Sequence, residues 1–210
     1  IRTIWLANDG WAVEIIDQTK LPHVFSICRL ETMECAAKAI KCMLVRGAPL
    51  IGATAAYGIA LAARSNPDDN NLQKAYNTLI KARPTAINLR WALLEMLETL
   101  MPLPVENRLE AAYKHAKLLC DQDVENCRLI GNNGSRLIEE IAQKTDKTKP
   151  VNILTHCNAG WLAAVDWGTA LAPIYVAHDR GVNVHVWVDE TRPRNQGASL
   201  TAWELNNHGV

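Results

Sequence analysis

The sequence predicts an α/β protein in two parts. Residues 1–145 form an N-terminal α+β domain with a small antiparallel sheet and helices; residues 151–210 form the first part of a Rossmann-like parallel α/β domain, incomplete in this chain. Three observations carry this. Residues 2–16 alternate apolar and polar around Asn8-Asp9-Gly10, the pattern of a hairpin. From Thr32 to Gln143 apolar residues recur mostly at helical spacing. After the polar tract Thr145-Asp146-Lys147-Thr148-Lys149-Pro150, which places a linker at 146–150, the period changes to strand, helix, strand, helix.

In the hairpin, Ile4 and Leu6 alternate before the turn and Trp11, Val13 and Ile15 after it, so Trp5 and Trp11 read as cross-strand packing. His23 to Cys28, following Leu21-Pro22, reads as a third strand with His23 at the surface. Thr32 is a suitable N-cap for a helix carrying Met33, Ala36, Ala37, Ile40, Met43 and Leu44. This helix runs into Val45-Arg46-Gly47-Ala48-Pro49, where Gly47 permits an unusual backbone angle and Pro49 suits the first turn of the next helix. Residues 65–72 read as a loop and Gln73 to about Lys81 as a helix. Pro84 then breaks that helix, and Thr85 caps one whose buried stripe is Ala92, Leu93, Met96, Leu97 and Leu100. Glu106 to Gln143 is helical, interrupted or bent by Gly131 and Gly134.

Beyond the linker, Val151 to Thr155 is a strand and residues 169–180 are mostly helix, with Pro173 near the first turn and Gly181 as the stop. Val182 to Val188 is the second strand, and Leu200 to Asn206 a second helix before Gly209. A right-handed βαβ crossover puts the polar exits of both strands on one edge of a parallel sheet.

Lysine plus arginine equals aspartate plus glutamate at 22 each, so the basic footprint of a nucleic-acid binder is absent and a small-molecule partner is expected. No apolar run approaches the roughly 20 residues of a membrane span, and the start lacks a signal pattern. No membrane partner and a cytoplasmic location are therefore expected. The six cysteines show no chelating or redox spacing. Cys28, Cys35, Cys42, Cys120 and Cys127 read as core packing, with no metal or cofactor expected. The start at Ile1 and the stop just after Gly209 read as those of a fragment.

Chemistry concentrates in Thr155-His156-Cys157-Asn158-Ala159-Gly160, read as a strand-to-helix turn. Ligands of open α/β sheets sit at such turns, where a helix N-terminus carries partial positive charge, so Cys157 is the first candidate for nucleophile or acid/base group. Arg46 beside the helix start at Gly47-Ala48 suits an anion; a plain turn between two closely packed helices suits the same residues equally well. Arg83, at another helix start, is a second anion ligand or a solvated arginine. His156 and Cys157, as neighbours in extended chain, project to opposite faces, so His156 reads as a satisfied structural histidine and not as a base. Asp166 and Asp189 stay open as acids, with Asp189 better suited to anchoring its loop. The set as a whole suits a small phosphorylated substrate.

Four motifs, Val45-Arg46-Gly47-Ala48-Pro49, Arg83-Pro84-Thr85-Ala86, Thr155-His156-Cys157-Asn158-Ala159-Gly160, and Asp189-Glu190-Thr191-Arg192-Pro193 with Gln196-Gly197-Ala198, closely resemble the methylthioribose-1-phosphate isomerase family. The opening IRTIW and the late LTAWEL fit as well. The resemblance implies an aldose-ketose isomerase of methionine salvage, converting 5-methylthioribose 1-phosphate to 5-methylthioribulose 1-phosphate. It implies substrate contacts at Arg46, Gly47, Ala48, Arg83 and Gln196, and a catalytic cysteine at Cys157. It also implies a homodimer, and a catalytic aspartate on a companion C-terminal segment or chain. Related proteins of the same fold supply the alternatives: ribose 1,5-bisphosphate isomerase, and non-catalytic regulatory subunits of the translation-initiation exchange factor.

Overall fold

The computed structural model describes residues 2–210. Strands β1 (Ile4–Leu6), β2 (Val13–Ile16) and β3 (Ile27–Leu30) form an antiparallel sheet in the order β1-β2-β3. The Asn8-Asp9-Gly10 turn closes the predicted hairpin, with Trp5 opposite Glu14 and its indole N–H donating to the Glu14 carboxylate at 2.7 Å. Trp11 lies under the guanidinium groups of Arg64 and, from β3, Arg29, 4.1 and 5.2 Å from the ring centre, so it packs against cations and not against an apolar partner. The third strand starts four residues later than expected, because His23 and Val24 turn back to donate to the carbonyl of Lys20.

Helices α1 (Met33–Lys41), α2 (Ala48–Ser65), α3 (Asp69–Leu79), α4 (Ile87–Leu100) and α5 (Arg108–Lys144) follow. Every residue of α2 from Leu50 to Ala63 is buried, and its alanines and glycines let α1, α3, α4 and the first half of α5 surround it. Thr32 caps α1 as expected, but the helix ends at Lys41 and Met43 takes a positive φ, leaving Cys42 exposed and not in the core. Asp68 caps α3, so the supposed loop is helical from Asp69. Ala86, not Thr85, stands at the N-cap of α4 and makes no side-chain cap. The glycines of α5 do not interrupt it: α6 packs across Gly131 and Gly134, where a side chain would meet Ala172, Pro173 and Val176.

Strands β4 (Val151–His156) and β5 (Val184–Asp189) pair in parallel, with α6 (Ala172–Asp179) between them in sequence and α7 (Ala202–His208) after. Pro173 sits in the first turn of α6, and Gly181 and Gly209 follow their helices with positive φ, as expected. His156 pairs with Asp189, so both polar exits share one edge. One face of this pair packs on Leu171, Ile174, Tyr175 and Leu205; the other leaves Leu154 and Trp187, paired neighbours, 68% and 58% exposed.

Candidate active site

The chain leaves β4 at His156 and turns at Cys157, which has a φ of 60° and a half-buried thiol. The turn leads to no α-helix: a short 3-10 segment, Trp161–Ala163, and further turns fill the stretch to Ala172. A bridge between Gly160 and Gly168, with positive φ at Trp167 and Gly168, folds this stretch back on itself. The helix N-terminus expected at Cys157 is therefore absent, and the positive charge there comes from elsewhere.

It comes from Arg46, only 9% exposed. The following residue, Gly47, has a φ of 85° and caps α2, and a Cβ on it would collide with the backbone of Ala163. Only glycine allows that approach, which brings the start of α2 against the 161–163 turn. The guanidinium then reaches Asn158: Nη1 donates to Oδ1, and Nη2 donates to the Asn158 carbonyl at 2.9 Å. These bonds leave further donors on the fork uncommitted. Burial lowers the Arg46 pKa, while the charges of Cys157 and Glu204 raise it and that of Arg83 lowers it. The arginine thus shares one electrostatic neighbourhood with the thiol and the second arginine. Arg83 itself is half-buried, and its Nη1 is enclosed without a hydrogen-bond partner.

Asn158, 4% exposed, is held from its other end as well. Its Nδ2 donates to Glu204 at 2.8 Å and to Thr201 Oγ1 at 3.1 Å, and Thr201 Oγ1 donates to the Cys157 carbonyl at 2.6 Å. Glu204 is 1% exposed and also accepts from the Trp161 and Leu162 amides at 2.9 and 3.1 Å and from the Tyr175 hydroxyl at 3.0 Å. Burial pushes its carboxyl up to about 7, against the pull of those donors. Composition and spacing give neither residue a role; the one available signal is a carboxylate one position before Leu205 in an apolar helix.

Gln196, 8% exposed, lines a cavity of about 180 Å³ with Arg46, Gln18, Met43, Arg194 and Leu200. Its loop is tied by Glu190, whose carboxylate accepts the amides of Thr191, Gly197 and Ala198. Those amide bonds, with desolvation opposing them, hold the Glu190 carboxyl below its usual range. Glu190, and not Asp189, is the loop anchor. Asp189 is exposed and faces His156 at 3.9 Å, so His156 is an exposed residue and not a satisfied structural one. Asp166 accepts from the Trp167 amide at 2.8 Å. Ala48 is exposed at the start of α2. Among the described residues no group of three or more metal-ligating side chains comes together, and no helix is long and apolar enough to cross a membrane.

Residues 44–210, which include Arg46, the cysteine turn and Glu204, match the model of the Initiation factor 2 subunit family. The chain belongs to that family. Among curated relatives of this family member, methylthioribose-1-phosphate isomerases from Paramagnetospirillum magneticum and Rhodospirillum rubrum are 62% and 59% identical over the whole chain. The chain spans 57% and 55% of their lengths. Two solved structures of the fold align over all of it with a TM-score of 0.84 and 38% identity: 5-methylthioribose 1-phosphate isomerase from Pyrococcus horikoshii OT3, of which it covers 58%, and translation initiation factor eIF-2B subunit delta from A. fulgidus, of which it covers 60%.

Proposed function

We propose that the protein carrying this chain is the aldose-ketose isomerase that converts 5-methylthioribose 1-phosphate to 5-methylthioribulose 1-phosphate in methionine salvage. One observation supports this above the others: Arg46, from the first half of the chain, is bonded to the residue that follows Cys157, with Arg83 in the same electrostatic neighbourhood. A thiol near one guanidinium, which itself feels the charge of a second, suits chemistry next to a phosphate. The names of relatives at 59–62% identity agree.

The phosphate on the anomeric oxygen prevents the ring from opening as a free sugar does. An acid must assist that opening, and hydrogen must then move between C2 and C1. In this reading Arg46, the amides of Gly47 and Ala48, and Arg83 bind the phosphate, Gln196 holds the sugar from the adjoining cavity, and the Cys157 sulfur handles a proton at the reacting carbons. A catalytic aspartate from a companion segment completes the site. The same segment continues the Rossmann-like sheet, and the bare face of Leu154 and Trp187 is consistent with such a covering layer. The enzyme works in the cytoplasm as a homodimer.

The test is turnover of 5-methylthioribose 1-phosphate by the complete protein and by its Cys157→Ser variant. The variant is expected to lose about 10²-fold or more in kcat while still binding the sugar phosphate; normal turnover removes Cys157 from the mechanism. The likeness to an initiation-factor subunit, equal in TM-score to that of the isomerase structure, supports a second reading as a non-catalytic regulatory subunit. Binding without turnover in the wild type would favour it. A third reading, ribose 1,5-bisphosphate isomerase, requires a second cationic pocket in place of an apolar one, and a substrate panel separates the two sugars.

A further inference from the structure

Asn158 lies between two buried charges with its amide oriented by both. The carboxylate of Glu204 accepts from Nδ2, and the guanidinium of Arg46 donates to Oδ1. Rotating the amide by half a turn would set NH₂ against guanidinium and oxygen against carboxylate, so a single orientation survives. Glu204 is in turn fixed by Tyr175 of α6 and by Trp161 and Leu162, which belong to the turn against which Gly47 packs. Thr201 links the same amide to the carbonyl of Cys157. Every bond in this set is made inside the protein, and none of Glu204's oxygens is left for a ligand to reach.

We propose that Glu204 is the positioning residue of the site: acting through Asn158, it aims the Arg46 guanidinium at the phosphate of the substrate beside Cys157. This deepens the reading of Arg46 as a phosphate ligand and rests on it. Glu204 touches no reacting atom. Its carboxylate offers acceptors to N–H and O–H donors on every side, a pattern that glutamine cannot reproduce, because its NH₂ would face either the Leu162 or the Trp161 amide.

The experiment uses the complete protein with Glu204→Gln and Asn158→Ala. Asn158→Ala removes the relay and leaves Glu204 its bonds to Trp161, Leu162 and Tyr175. Two readouts are taken: steady-state kinetics with the sugar phosphate, and protection of Cys157 from iodoacetamide by inorganic phosphate, followed by peptide mass spectrometry. Loss of a uniform binding contact predicts a KM raised about tenfold with kcat within about threefold, and phosphate protection that needs about tenfold more phosphate. A purely structural role would lower the amount of folded enzyme without moving KM or the protection midpoint. Wild-type KM and protection in either folded variant overturn the proposal, as does collapse of both variants on circular dichroism. If the wild type turns over no sugar phosphate but shows protection that the variants weaken, the proposed isomerase activity fails while the positioning role stands.

Discussion

Glu204 is a carboxylate to which solvent has almost no access, and its titration reaches into the stability of the whole fold. Burial raises its pKa from an ordinary 4.5 to about 7. Between those values the folded state holds a proton that the unfolded chain releases. Stability from this group is therefore complete below about pH 4.5 and declines as pH rises towards 7, by about 3 kcal/mol at most. Facing it are Arg46 through Asn158, and Tyr175, whose ring lies 4.5 Å from that of His208, itself paired with Asp179. All of these persist in Glu204→Gln, so subtracting the two urea-unfolding profiles isolates Glu204. A flatter profile in the variant between pH 4.5 and 7 is the expected result, and identical profiles would exclude the titration of Glu204 as the source of the slope. Cys157 and Arg46 were recognisable from the sequence as candidates because thiol and guanidinium announce their chemistry by type. Asn158 and Glu204 were not, because an amide and a single carboxylate acquire meaning only from what surrounds them.

At the level of secondary-structure elements, long periodic segments and strong turns were readable, and so were most of the helices. What failed were boundaries set by tertiary contact. The third strand slipped because its leading residues bond back to Lys20, and α3 gained a turn through the Asp68 cap. The helix expected after Gly160 was replaced by turns anchored on Glu204, a partner more than forty residues on in the chain. The α5–α6 pairing gives this a number. Replacing Gly134 by alanine should favour an isolated helix by about 1 kcal/mol. In the folded protein the new Cβ would stand 2.6 Å from Cγ of Pro173, whose ring is fixed in the first turn of α6. The net expectation is a loss of about 1–2 kcal/mol, read as a lower Tm. Gly131→Ala, with its nearest neighbour Val176 Cγ2 at 3.1 Å, should cost less. A Tm raised by Gly134→Ala would show that α6 yields.

For the molecule as a whole, the proposed linker at 146–150 is crossed by many contacts made elsewhere. α6 packs along α5, Thr3 Oγ1 donates to the Ala164 carbonyl at 2.6 Å, Gln18 donates to the Leu162 carbonyl at 2.7 Å, and Arg46 grips Asn158. The first and second parts of the chain are thus cross-linked around the very turn that carries Cys157. Limited trypsin digestion is expected to cut first at Lys147, exposed in this tract, and the two pieces should co-elute on gel filtration. Pieces that separate would mean that the covalent connection, not packing, holds the site together.

The uncovered face of the parallel strand pair has an optical consequence. Trp187 stands bare beside Leu154, so its indole emission reports water while that face is open and shifts to shorter wavelength when any layer lies over it. With Trp187→Phe as the reference, the difference spectrum is an intrinsic gauge of whether the sheet has been roofed.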